Sequence, residues 1–166
     1  PCGFLGTDTV ISNSAQVIYD AEPWLLSMLN SSMHMVWVRV VGGKLEERIR
    51  YSKDIVYNTF PFPPITDKQK EELTMCTFPI LEEREKHPEK TLAQLYDPDK
   101  MPEGLREAHR LNDLAVERCY RSKPFESDEE RLEYLFKLYE QMIEEEKNRG
   151  SLFATETKAK KSKKKK

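Results

Sequence analysis

Apolar residues recur at helical spacing in four stretches of the chain, and two others have the composition of strands. The strongest signal lies towards the C-terminus, where Leu132, Leu135, Phe136, Tyr139, Met142 and Ile143 make one unbroken stripe behind a Ser127/Glu130 capping box. It predicts a helix over residues 127–147, with Leu135, Phe136 and Tyr139 buried against a helix that opens at Pro102 and ends near Arg121. Thr66 with Gln69 opens another helix, whose face carries Leu73, Cys76, Ile80 and Leu81. Pro79 should kink or break it, because proline removes a backbone donor and clashes with the preceding turn. A short helix over 91–96 leads into the loop DPDKMP.

The first third of the chain reads differently. Residues 10–19 (VISNSAQVIY) read as a strand with a polar middle, ended at Asp20. Pro23 suits a first helical turn, and a helix over about 24–41 follows, with Leu25, Leu29, Val36 and Val40 at helical spacing and the small Ser27, Ser31 and Ser32 permitting close packing. The β-branched run 36–41 leaves a strand open as the alternative at its end. Gly42 and Gly43 stop the helix, since glycine tolerates the left-handed geometry of a helix C-terminus. Residues 55–60 (IVYNTF) have strand composition, and Pro61, Pro63 and Pro64 forbid extension and mark a boundary. The expected fold is mainly α, with a small N-terminal α/β portion (α+β) and a helical C-terminal bundle. Residues 1–64 and 65–157 form its two parts, and 158–166 a disordered lysine-rich tail.

Composition narrows the function. With 38% hydrophobic residues the core is modest. No apolar run approaches a membrane span and no signal peptide opens the chain, so a cytoplasmic protein is expected. Pro1 in place of Met suggests an excised fragment. Cys2, Cys76 and Cys119 are too scattered for a disulfide framework, and His34, His87 and His109 have no ligand spacing, so no metal site is expected. The net charge of −2 conceals a partition. Acidic residues prevail before Arg39 and again between residues 65 and 157, whereas 39–64 carry a basic excess and the tail KAKKSKKKK holds seven lysines. That tail fits either nonspecific attraction to nucleic acid or a solubilising terminus.

The basic excess centres on residues 44–50. In extended conformation, Lys44, Glu46, Arg48 and Arg50 form one polar edge, opposite Leu45, Glu47 and Ile49. Arginine donates two hydrogen bonds to guanine O6 and N7, and a carboxylate accepts from the cytosine amino group, so Glu46 and Arg48 can address the two halves of one C·G pair in the major groove. Ser14, in the polar middle of the first strand, is a further candidate, and Arg39 and Lys53 are assigned to the DNA backbone. The competing reading makes Glu46 and Arg48 a surface ion pair, contributing ~0–1 kcal/mol. Tyr51, Tyr57 and Asn58 can reach phosphates but suit a core better, and Met33, His34 and Met35 read as packing residues.

Four stretches, SSMHMVWVR, RYSKDIVYNTFPFP, LAQLYDPDKMPEGLREAHRLND and FESDEERLEYLFKLYEQM, together resemble the C-terminal part of the MmeI-like DNA methyltransferases, type II enzymes that join restriction and N6-adenine methylation in one polypeptide. The resemblance implies that residues 1–64 end a target-recognition domain whose base-reading residues fall on 44–50, and that 65–157 are the helical C-terminal domain beside it. Pro79 and the lysine tail depart from the family pattern. No glycine-rich turn for S-adenosylmethionine occurs, and Phe62-Pro63-Pro64 lacks the Asn that would hold a target adenine. Asp99, Glu145 and Lys147 are too widely spaced for a nuclease and read as solvated charge. The expectation is a non-catalytic fragment without a cofactor of its own, S-adenosylmethionine belonging to the parent enzyme. Its partners would be double-stranded DNA and the parent's methyltransferase domain, with no membrane. The alternative is a helical interaction or scaffold module that makes no base contacts.

Overall fold

A computed structural model describes residues 2–6, 8–12, 15–45 and 48–162, with the side chains of 44–50 and 149–162 outside the description. Its helices are α1 (Pro23–Leu29), α2 (Ser32–Val41), α3 (Asp67–Glu85), α4 (Leu92–Leu95), α5 (Glu103–Tyr120) and α6 (Asp128–Ser162), with a π-helical turn over Lys53–Tyr57. The strands β1 (Gly43–Leu45) and β2 (Arg48–Arg50) pair antiparallel and form the only sheet among the described residues. The fold is therefore mainly helical; among the described residues the N-terminal part holds only this short hairpin beside its helices, and the α/β portion expected from the sequence is not supported.

Local chemistry explains where the helices begin. Thr66 and Gln69 cap α3 reciprocally, and Thr91 and Gln94 do the same for α4. Pro102, which has no N–H to lose, precedes α5. Ser127 caps α6 from one side only: its hydroxyl accepts from the Glu130 amide, while the Glu130 carboxylate turns back to the Glu126 amide and Arg121. The single helix expected over 24–41 is two, because the Ser31 hydroxyl accepts from the His34 amide and starts a new helix after the turn at Asn30. Gly42 ends α2 in an extended conformation with φ −66° rather than the left-handed one.

Four further expectations are corrected. The described part of 10–19 forms no strand; Val10 is 97% exposed and no neighbouring strand offers its backbone partners. Residues 55–60 are not a strand either: Lys53–Tyr57 form a π-helical turn, and Val56 within it and Phe60 just beyond it are buried in the core. Helix α3 runs through Pro79 without a break, with the proline on its exposed side, where a lost backbone bond costs least. Helix α6 continues past residue 147 to Ser162, into the first residues of the expected disordered tail; residues 163–166 lie outside the description.

The main core joins Met28, Met33, Trp37, Val56 and Phe60 to Leu73, Val116, Tyr120, Phe125 and Leu135, and a smaller cluster gathers Ile80, Leu95, Leu105 and Ala108. Polar tethers cross the same boundary. Thr77 donates to the Pro23 carbonyl (2.9 Å), Asn112 to the Ser27 carbonyl (3.0 Å) and Tyr120 to the Pro61 carbonyl (3.2 Å). Asp113 accepts from both the amide and the hydroxyl of Ser32, at 2.7 and 2.6 Å, placing a carboxylate on the N-terminus of α2. Arg84 draws in the start of the chain, donating to the Cys2 carbonyl at 2.6 Å and to the Tyr96 hydroxyl at 2.8 Å.

The α6 stripe packs chiefly on α2, not on α5 as expected: the Trp37 ring lies 5.2 Å from Phe136 and 5.5 Å from Tyr139. Leu135 is fully buried, but Phe136 keeps 38% of its surface exposed. Leu135→Ala should therefore cost about 2–5 kcal/mol. Phe136→Ala should cost clearly less, and urea unfolding of the two variants checks the order.

Candidate nucleic-acid interface

The segment carrying the base-reading candidates is a hairpin standing on the end of α2. Register pairs Gly43 with Arg50, Lys44 with Ile49 and Leu45 with Arg48, so only positions 46 and 47 separate the last pair. The chain thus doubles back where one continuous edge was expected. Lys44 takes a register position of opposite parity to Arg48 and Arg50, and the four candidates do not share one extended edge. Ser14 and Glu46 lie outside the described residues, and of Lys44, Arg48 and Arg50 only the backbone is described.

Two flanking cations are described in full. Arg39, in the last turn of α2, pairs with Asp128 at 3.1 Å, and Lys53, in the π-helical turn, pairs with Asp54 at 3.1 Å. Both pairs are exposed, so each cation can exchange its carboxylate for a phosphate at little cost. Asp128 also pairs with Arg131 (3.0 Å), which donates to the buried Glu117 (2.8 Å). A chain of charges therefore runs from the inside of the helical body to the foot of the hairpin.

Below the hairpin lies a group that the sequence reading placed among packing residues. His34 is 2% exposed, its Nε2 is 3.1 Å from the Tyr51 hydroxyl, and the Phe60 ring meets it edge-on at 4.6 Å. One turn along α2, Trp37 Nε1 donates to the Thr59 hydroxyl at 3.2 Å. Burial pushes the His34 imidazole down to about 4 and the Tyr51 phenol up to about 12, so both are neutral near pH 7. The one trace of this in the sequence is the i, i+3 spacing of His34 and Trp37, which sets both polar rings on one helical face. Tyr57 meets Phe62 edge-on, and Asn58 donates to Asp54. Among the described residues no cluster of His, Cys, Asp and Glu could hold a metal, and no helix is long and apolar enough to cross a membrane.

Comparison with known proteins places this geometry. The MmeI target recognition domain model matches residues 1–64, which include the hairpin, and the MmeI C-terminal domain model matches 65–145. The chain belongs to the MmeI family. DNA methyltransferase A of Bacillus subtilis (strain 168) is 51% identical over 144 residues, covering 87% of this chain and 16% of that protein. A solved structure of the type IIL restriction-modification enzyme MmeI in complex with DNA is 42% identical, with a TM-score of 0.72, over 75% of this chain and 17% of that one. The chain thus spans about a sixth of the length of these two relatives.

The buried rings set a pH dependence. Burial holds His34 and His109 at about 4, the latter helped by Arg84, against about 6.5 in an unfolded chain. As pH falls from 6.5 towards 4 the unfolded state takes up protons that the folded state refuses. Stability should drop by up to about 1.4 kcal/mol per pH unit for each ring. Asp113, whose carboxyl burial pushes up, acts in the opposite sense at lower pH. Urea midpoints at pH 7, 6 and 5 should therefore fall, and less steeply in His34→Gln and His109→Gln; identical slopes in all three proteins would contradict this.

Proposed function

We propose that this chain is a DNA-sequence-recognition part of an S-adenosylmethionine-dependent, N6-adenine-specific DNA methyltransferase of restriction-modification type, acting in the cytoplasm. The observation that carries the reading is the basic hairpin of residues 43–50, which stands within the stretch matched by the target recognition domain. In this reading residues 1–64 end the target-recognition domain, 65–157 form the helical C-terminal domain and 158–166 a lysine-rich tail. Lys44, Glu46, Arg48 and Arg50, with Ser14, read base edges in the major groove, and Arg39 and Lys53 hold the phosphates. The body is acidic outside this segment, so charge alone gives weak affinity, and selectivity rests on directional contacts.

Methyl transfer belongs to the parent's methyltransferase domain, the second partner of this chain beside double-stranded DNA. The residues here offer no glycine-rich turn for S-adenosylmethionine and no Asn beside Phe62-Pro63-Pro64 for a target adenine. Titration calorimetry of this chain with S-adenosylmethionine should accordingly show no binding heat, and tight binding would overturn the assignment.

The decisive test concerns Glu46 and Arg48. In the longer protein that contains this chain, Glu46→Lys with Arg48→Asp reverses the donor and acceptor pattern offered to one base pair. The doubly changed enzyme should prefer G·C over C·G at one site position, by roughly 1–3 kcal/mol per good contact. Phosphate contacts alone would change affinity uniformly and alter the salt dependence, with no new preference. Sequencing-based mapping of methylated sites separates the outcomes, and an unchanged recognition sequence at full activity would exclude base reading by this pair.

A further inference from the structure

A pair of three-residue strands cannot hold its own position. Two-stranded hairpins are marginal in water, and no further strand backs this one among the described residues. Base reading, however, demands placement to within about half an ångström. On its leading side the hairpin is joined to α2 through Gly42, an extended residue without a side chain. On its trailing side Arg50 is followed directly by Tyr51, whose ring reaches back along α2 to His34, eight residues before Gly42. The return segment comes back to the same helical face at its far end, where Thr59 meets Trp37 and Phe60 meets His34.

His34 is a costly choice for mere packing. It is almost wholly buried, yet its Nδ1 has no hydrogen-bond partner, a defect that leucine or phenylalanine at that place would avoid. Its second nitrogen and the Tyr51 hydroxyl bind each other. Helix α2 therefore carries an unsatisfied polar atom inside the core while making one directional bond to the residue that follows the hairpin.

We propose that His34 and Tyr51 form a positioning pair that fixes the hairpin on α2 and thereby sets sequence selectivity without touching DNA. The proposal deepens the function proposed above and rests on it. Tyr51→Phe removes one oxygen and keeps the ring, so the core remains filled.

Two readouts separate the anchor from the reader. In this chain, amide exchange of β1 and β2 should quicken about five- to tenfold in Tyr51→Phe, as the loss of one hydrogen bond allows, while the amides of α3 and α5 keep their rates. In the longer enzyme the same substitution should reduce discrimination between the cognate site and single-mismatch sites by a similar factor, leaving nonspecific affinity and its salt dependence in place. His34→Gln, which restores a side-chain amide to pair with the hydroxyl, should give parental values in both measurements, and His34→Leu should match Tyr51→Phe. Unchanged hairpin exchange in Tyr51→Phe overturns the anchor and leaves base reading to be judged by the Glu46/Arg48 exchange. Faster hairpin exchange with full discrimination overturns the hairpin as reader, and the positioning role with it.

Discussion

Helix α2 is built into the molecule from both sides, and the rest of the structure hangs on that. Trp37, 1% exposed, packs at a tilt on Phe136 and Tyr139 of α6 and donates to Thr59 with its nitrogen. An indole buried this fully supplies several kilocalories per mole of apolar burial, of the order of 2–3, while its polar edge is satisfied. At the start of α2, the Asp113 carboxylate accepts from the Ser32 amide, one of the orphan donors of the first turn, and from the Ser32 hydroxyl. A helix of ten residues would be marginal by itself. Held at its start by Asp113 and at its middle by Trp37, it gives the hairpin a packed base.

The electrostatic arrangement follows the same geometry. Acidic helices surround a local basic excess, and the cations at its foot already have carboxylate partners: Asp128 for Arg39 and Asp54 for Lys53. Such pairing lowers the attraction to any polyanion at random. Under the proposed function, a duplex that also satisfies directional groups on the hairpin gains relative to one that does not, which favours selectivity over affinity.

Much of this was legible in the sequence wherever the deciding interaction is local. The capping pair Thr66/Gln69, three residues apart, marks the start of α3 in the sequence and in the structure; the short helix at 91–96 was legible too, although its Thr91/Gln94 cap emerged only from the structure. Ser31 was local too, but among small residues it read as a packing position rather than a cap, and the break between α1 and α2 was missed. Strands at 10–19 and 55–60 were wrong for a different reason: strand composition is a promise of pairing, and pairing is decided by what lies alongside. The direction of the α6 stripe depended on Trp37, nearly a hundred residues away along the chain, so the stripe was visible and its partner was not. Within the candidate site, the charged segment 44–50 stood out, whereas its reversal into a hairpin and the bond between His34 and Tyr51 are tertiary facts.

The shared core also bears on how new specificities can be made. The two family units meet between residues 64 and 65, which invites recombination at that point. Yet Met28, Trp37 and Phe60 on one side interlock with Leu73, Val116 and Leu135 on the other, so a transplanted first unit would arrive with surfaces shaped for a different neighbour. The natural cassette is smaller. A graft between Gly42 and Tyr51 leaves α2, the return segment and every named core contact in place, making those eight positions, the base readers of the proposed function, the exchangeable part and the helices its common chassis.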